Sequence, residues 1–557
     1  MGESIRKIDF IQIFLVISFF AVGLFHEFTA CIAGVVLVAY LCRTVMQKKS
    51  LTIYVNLASI SVFAIVVFYG ISAFWALDSG SAVLGFFKFL PLLFFILILM
   101  QKKETPDDYL HIVPYAACGM TVLSFLLMQI PALQDWFSVS GRLSGFFQYA
   151  NTFAIFLLAA LIIVATKERH TKVDLVLIPI LLFGIVASGS RTVFALMLLA
   201  LFVLIITSKN KKYSFLLLAA IVLVVGAAAI YAAVTQNFST IGRFLTTSLT
   251  ESTFVGRLLY FRDALPVILR HPFGLGYMGY NYLQYSVQTG VYTVRFIHND
   301  FLQLMLDIGW LPTALFVAAI IKAFFKKGAS LRKRLLLFVI AAHTCFDFNF
   351  QYLAIFMLFL LLLDYKDGET REIQVSKAVC GTCAAVASAL CLYMGLAQSL
   401  TYFKQYALSD RLYPWNTQNH IALLENANDD ADSLADKIIQ NNGYVALAYR
   451  VKAVNAFSAG DFEQVMEYQN EAIDVAPFFY ETYEEYCYML INGIFLYERA
   501  GDTYSAEVCR EELLSVVEQL QSLPDKQSKL GKMIQDQPET ELPSEIMEYV
   551  EAMENAE

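Results

Sequence analysis

Apolar runs of about twenty residues, parted by short polar breaks, recur from the N-terminus to about residue 400 and then stop. A helix of that length crosses roughly 30 Å of hydrocarbon. Such runs begin near Ile8, Thr29, Leu51, Ala82, Tyr109, Thr152, Val173, Thr192, Tyr213, Phe301, Leu335, Gln351 and Ala378. The fold class is therefore an all-α polytopic membrane protein with about thirteen spans over residues 1–400. The hydrophobic share of 58% exceeds the roughly 45–50% of soluble domains. The first run follows Arg6 and Lys7 without a small-residue cleavage pattern, so it reads as a retained helix.

Charge divides the chain at the same place. Residues 402–557 hold 29 acidic and ten basic residues, a net of −19, which leaves +11 for the rest of a chain whose net is −8. The basic residues of the apolar part sit in short loops, which argues against a nucleic-acid partner. Their clusters recur at every second loop: Arg6 and Lys7; Arg43, Lys48 and Lys49; Lys102 and Lys103; Lys167 to Lys172; Lys209 to Lys212; Lys322 to Arg334; Lys366 to Lys377. Positive-inside bias places these clusters on the cytoplasmic side. Leu335 to Leu363 is too short for two full spans and is broken by His343, Asp347 and Asn349. It reads as two short helices meeting at the outer face, His343 and Asp347 being a hydrogen-bonding pair at the break. The last span then delivers the tail outside the cytoplasmic membrane.

The outer loops run over 131–151, over 188–191 and, largest, over about 235–300. They carry Arg142, Arg191, Arg243, Arg257, Arg262, Arg270 and Arg295. Arginine is disfavoured in short outer loops, so this cluster asks for a reason. For Arg243, Arg270 and Arg295 pairing with lipid phosphate suffices. The loops contain no tight Asp-x-Asp pair, and no metal or other cofactor is expected. Cys380 and Cys383 form a Cys-x-x-Cys inside an apolar run and read as helix packing. Cys487 and Cys509 lie in the tail, and their spacing leaves pairing open.

From residue 401 to Pro524 the pattern is helical and repeat-like. Tyr444 to Ser458, a Gly460-Asp461 turn, and Phe462 to Val475 ended by Ala476-Pro477 resemble a tetratricopeptide repeat. Glu481 to Leu523 reads as another pair, and a degenerate one follows Pro414. Such stacks form their own core and take a protein or peptide partner on a concave face; a solubilising cap would look the same. Residues 525–557 read as an acidic, mobile tail.

The sharpest segment is Arg257-Leu-Leu-Tyr-Phe-Arg-Asp-Ala-Leu-Pro-Val-Ile-Leu-Arg-His-Pro-Phe-Gly-Leu-Gly-Tyr-Met-Gly-Tyr280, followed by His298-Asn-Asp-Phe-Leu-Gln-Leu-Met-Leu-Asp-Ile-Gly309. The first part reads as an interfacial amphipathic helix running into a glycine bend, the second as a span with His298 at its outer mouth. This arrangement resembles the O-antigen ligase and polymerase superfamily, whose members carry an Arg-led helix, a Pro-x-Gly-x-Gly-like bend, and His-Asn with a Gly ten residues after the Asn. Arg142 to Asn151 and Ser188-Gly-Ser-Arg191-Thr resemble the family's outer loops. Pro312 departs from the pattern, since the family often has a second Gly there.

The resemblance implies a membrane glycosyltransferase that uses a polyprenyl-diphosphate-linked glycan on the outer face. Its acceptor would be another glycan, a lipid, a wall polymer or a protein. The residues suit that chemistry independently. Guanidinium groups hold diphosphate bidentately and stay charged, which assigns catalytic roles to Arg191 and Arg257 and substrate binding to Arg142 and Arg262. Imidazole can take the acceptor hydroxyl's proton, which assigns His298. Asn299 stands beside it, and Tyr277 and Tyr280 read either as interfacial aromatics or as rings that stack on a sugar. A transporter or flippase of lipid-linked glycan is the alternative. It would favour internal repeats and charges deep in the spans, whereas here the informative residues cluster at the mouth. A scaffold that recruits partners through the tail would not need thirteen spans.

Overall fold

A computed structural model describes residues 9–207, 218–223, 225–226, 252–426 and 430–555. The chain is an all-α polytopic membrane protein, with only two two-stranded ribbons among the described residues. Each expected run coincides with helix, except the run from Tyr213, most of which lies outside the described residues together with Arg6, Lys7, Lys209, Lys211, Lys212 and Arg243. Glu27–Lys48, Leu57–Phe74, Ser79–Gln101, Asp108–Leu127 and Lys377–Tyr402 are long and apolar enough to cross a membrane by themselves. Ser79–Gln101 runs through the middle and is the most buried of these. Phe10–Phe20, Ala150–Ala165, Asp174–Ser188, Arg191–Thr207 and Trp310–Phe325 are shorter apolar helices around it.

Two local departures from the sequence reading have clear causes. Ser50 to Val55 is a strand rather than the start of a span, paired antiparallel with Glu369–Gln374. Its Thr, Ile, Tyr and Val suit an extended chain, and helix begins at Leu57 because Asn56 and Ser59 form a capping box. The span expected from Phe301 is interrupted at Gly309, giving helices Asp300–Ile308 and Trp310–Phe325. Pro312 falls in the first turn of the second helix, where no intrahelical partner is needed for its missing N–H.

Leu335 to Leu363 forms two short helices, Leu331–Thr344 and Leu353–Leu360. His343 does not pair with Asp347 at the break. Its Nδ1 lies 2.8 Å from Asn349 Nδ2, and Asn349 Oδ1 accepts from the Thr152 hydroxyl. Asp347 instead takes hydrogen bonds from Tyr149 and Asn151.

The basic clusters gather at one end of the bundle. There Lys48 donates to the Gln101 carbonyl, Lys366 to that of Glu104, and Lys333 pairs with Asp364. The tail packs against the opposite end. Tyr413 donates to the Gly80 carbonyl at 2.8 Å and Asn442 to Asp78 at 3.2 Å.

Within the tail, Ala446–Ala459 and Phe462–Val475 are joined at Gly460 and Asp461, and Tyr480–Ala500 and Thr503–Gln521 at Gly501 and Asp502. In both turns a left-handed Gly ends one helix and an Asp caps the next. Cys487 and Cys509 are buried free thiols. The segment after Asp525, expected to be mobile, folds back instead. Helix Ser544–Glu554 buries Ile546 and Val550 in the tail core, because its apolar positions recur at helical spacing.

Candidate active site

Helix Ser252–Arg270 buries Val255, Leu259, Ala264, Val267 and Ile268 on one face. The bend after it docks on the end of helix Asp300–Ile308: Leu275 N–H donates to the Leu306 carbonyl at 2.6 Å and Gly276 N–H to that of Asp307 at 3.0 Å. In return Trp310 N–H donates to the Pro272 carbonyl at 2.9 Å. Gly274 and Gly309 have φ of 81° and 85°. A Cβ on Gly309 would sit 2.3 Å from the Pro272 carbonyl oxygen, and one on Gly274 would sit 2.6 Å from the Asp307 carbonyl. Two glycines 35 residues apart in sequence, one in the bend and one ten residues after Asn299, thus serve one physical contact.

That contact fixes where His298 stands. Asn299 caps helix Asp300–Ile308, its side chain accepting from the Phe301 and Leu302 N–H groups at 3.1 Å. Asp300 accepts from Phe350 N–H at 2.8 Å, tying the helix start to the turn that bears Asp347. His298 itself has a left-handed φ of 54°, uncommon for a side-chain-bearing residue. Its Nδ1 lies 3.5 Å from Asp347 Oδ1 and its ring edge meets Phe348.

Asp347 is the hub. It accepts from the Tyr149 hydroxyl and from Asn151 Nδ2, each at 2.8 Å, and Arg257 lies 3.6 Å away. Burial alone would raise its pKa, but His298 and the Arg257 charge outweigh that and hold the carboxyl well below its usual range. Asp347 is 1% exposed, whereas His298 and Arg257 are 22% and 19% exposed, so these two side chains reach the surface and the carboxylate lies behind them.

Arg142 extends the network. It follows a two-residue turn at Ser140 and Gly141, both with positive φ, between strands Ser138–Val139 and Arg142–Leu143. It donates to Asn151 Oδ1 at 2.6 Å and to the Ser188 carbonyl at 2.7 Å. Gly189, left-handed, ends one helix there, and Arg191 opens the next. The turn before Arg191, Arg142, Asn151, Asp347, Arg257 and His298 therefore form one connected set drawn from five segments.

Three expected residues stand elsewhere. Arg262, half exposed, bonds Asp263 beside it on the helix and Thr289 beyond the bend, and is not among the partners of Asp347. Tyr277 is buried: its hydroxyl donates to Glu27 at 2.6 Å and accepts from Lys88 at 2.9 Å. Tyr280 is buried among Ala264, Ile268 and Leu283. Neither ring offers a face to a sugar. Arg295 pairs with Glu27 at 3.1 Å over the rings of Phe25 and Phe296. The sequence reading missed Asp347, Tyr149 and Asn151 as site neighbours, and it missed the buried pair of Glu27 and Lys88 beneath Tyr277. A signal existed for Lys88, a lone charge inside an apolar run.

Residues 176–317 match the family described as O-antigen ligase. The chain carries an O-antigen ligase domain of the ligase and polymerase superfamily. The matched stretch contains Arg191, Arg257 and His298, while Arg142, Asn151 and Asp347 come to the same site from outside it. No curated protein matches the chain. A membrane role in glycan processing of the O-antigen ligase or polymerase type follows, with glycosyl-transferring activity.

Proposed function

We propose that this O-antigen-ligase-like protein transfers or polymerises a glycan carried on polyprenyl diphosphate, with His298 as general base and without a metal. The carrying observation is the Asp347 hub. Asp347 faces His298 Nδ1, which favours the tautomer with its proton there and leaves Nε2 as the base. The acceptor hydroxyl attacks the anomeric carbon and its proton passes to His298. The bond from that carbon to the diphosphate oxygen breaks, and the diphosphate leaves as an anion. Arg257, beside the hub and open to the mouth, meets the charge that develops on the leaving oxygen. Arg191 and Arg142 supply further positive charge on the side of the 188–191 turn.

We place this end, with the tail, on the extracytoplasmic face, because the lysine- and arginine-rich clusters gather at the other end. The tail's helix pairs would then offer a partner protein a surface outside the cell membrane.

The test is transfer by purified protein from a lipid diphosphate glycan. His298→Ala should lose transfer by about 10²–10⁴-fold, the range for a general base, and still bind donor. Arg257→Ala should bind donor poorly, and Arg257→Lys should recover only part of the activity, because Lys lacks the planar fork. Undiminished transfer by both alanine variants at normal protein levels would return the transporter reading to first place.

A further inference from the structure

The segment Gln288 to Ile297 leads directly into His298, so whatever holds it sets where the imidazole stands. It is held from three sides. Gln284 exchanges hydrogen bonds with the Val294 backbone, both at 2.9 Å. Asp263, buried on the Arg257 helix, accepts from Thr289 N–H at 2.8 Å, the Thr289 hydroxyl at 2.7 Å and the Tyr292 hydroxyl at 3.2 Å. The third side is the far end of the chain. Ser528 N–H donates to the Thr289 carbonyl at 2.9 Å, and the two side-chain hydroxyls lie 3.0 Å apart.

The backbones meet next to these bonds. A Cβ on Gly531 would lie 2.1 Å from the Thr289 carbonyl oxygen, and one on Gly290 would lie 2.7 Å from Gly531 Cα. Beside them Val255, Leu259, Tyr292, Val294 and Ile534 close a small apolar core. Leu259 is two residues from Arg257. Tyr260, next along, packs on Tyr292 with ring centres 4.6 Å apart and lies 6.2 Å from His298. Removing residues 528–534 would expose four apolar side chains on the two segments that carry Arg257 and His298.

We propose that Ser528 to Ile534 is a wall of the catalytic site: a positioning segment, contributed by the acidic tail, that sets the spacing of Arg257 and His298 without touching substrate. This rests on the reading of those two residues as catalytic. The site is incomplete without the end of the chain, so the tail is not a detachable appendage. A displacement near 1 Å can cost on the order of 10²-fold in rate, which is the scale expected when this wall is lost.

The experiment uses the full-length protein with Gly531→Val, Ile534→Asp and Ile534→Leu, and Tyr504→Ser on the exposed tail surface as control. Transfer kinetics are read beside hydrogen exchange of residues 289–298 and of the tail helices. Gly531→Val and Ile534→Asp should lower kcat by about 10- to 100-fold and speed exchange at 289–298, with helix Tyr480–Ala500 still protected. Ile534→Leu and Tyr504→Ser should behave as the unmodified protein. Full activity in Gly531→Val and Ile534→Asp with faster exchange at 289–298 would overturn the proposal, as would unchanged exchange. If either variant unfolds the tail helices, Ile534→Ala decides by the same two readouts. Loss of transfer in His298→Ala must hold independently, which separates failure of this wall from failure of the catalytic reading.

Discussion

Replacing Asp347 by Asn tests the hub with almost no change of shape. Asp347 accepts from Tyr149, Asn151 and its neighbour Phe348 N–H, and stands 3.5 Å from His298 and 3.6 Å from Arg257. An amide keeps one acceptor, turns the other position into a donor and removes the charge. When His298 takes the acceptor's proton, an imidazolium forms beside this position. A charge pair at that separation is worth up to about 4–5 kcal/mol at an effective dielectric near 20. The mouth is partly open to water and the amide oxygen retains some of the contact, so about 2–4 kcal/mol is the expected loss. That corresponds to roughly 30- to 1000-fold in kcat. Donor affinity should move the opposite way or stay put, because Arg257 loses its only carboxylate within ion-pair distance among the described residues and is freer for diphosphate. The assay is steady-state transfer with varied donor, paired with direct donor binding. Equal losses in binding and kcat, or unchanged kcat with protein intact, would refute the role given to Asp347.

Other variants separate neighbouring parts of the network. Arg142→Ala removes two charge-assisted hydrogen bonds, each worth about 1.5–3 kcal/mol. Both thermal stability and transfer should fall, and a variant with unchanged melting would remove Arg142 from the frame. Arg262→Ala, by contrast, should leave transfer within a few-fold of normal, since that half-exposed side chain is not a partner of Asp347 and Thr289, which it bonds, is also held by Asp263 and Ser528; a hundred-fold loss would put it back in the site. Lys88→Met takes a fully buried cation from Glu27 and Tyr277 and should destabilise by about 3–5 kcal/mol, read by thermal unfolding in detergent. The depressed pKa of Asp347 also has a sign: its stabilising contribution is full above the ordinary carboxylate pKa near 4 and is lost as pH falls through the lower folded value. From pH 8 down to about 5 this residue should therefore add a constant stabilisation and no slope, so Asp347→Asn should lower the melting temperature without altering the shape of that profile.

The helices were legible because each is an apolar run, and both halves of the glycine motif were legible because their spacing is unusual. What joins them was not. Gly309 reads in sequence as a position ten residues after Asn299; only the fold shows it under the Pro272 carbonyl. Asp347 read as half of a local pair because His343 is four residues away, yet His343 meets Asn349 while Asp347 accepts from Tyr149 and Asn151. Tyr277 and Tyr280 sit in a segment whose neighbours reach the mouth. Hydrophobic pattern alone does not tell a ring at an interface from one buried over Glu27 and Lys88. The return of residues 528–534 to the membrane part depends on one glycine, Gly531, set against Gly290, and on Ile534, too few residues for composition to reveal.

On the proposed reading of a diphosphate donor, the charges around the hub account for one carboxylate being buried beside the arginines. Arg257 and Arg142 approach the same small volume, and His298 adds a third positive charge when it takes a proton. Without a counter-charge the two guanidinium groups would repel one another in a partly desolvated mouth. Asp347 supplies that counter-charge behind them, leaving their outward faces for the donor. Because it bonds Tyr149 and Asn151 at the same time, it also keeps both arginines registered to His298 before substrate arrives. A diphosphate entering from the mouth meets donors already oriented, and little reorganisation is needed as charge develops on its oxygen. The wall formed by Ser528 to Ile534 acts on the same balance from the other side, since it presses on the Arg257 helix and on the segment before His298 together. Loosening either support would spread the cations without changing their number, so rate should suffer before affinity does.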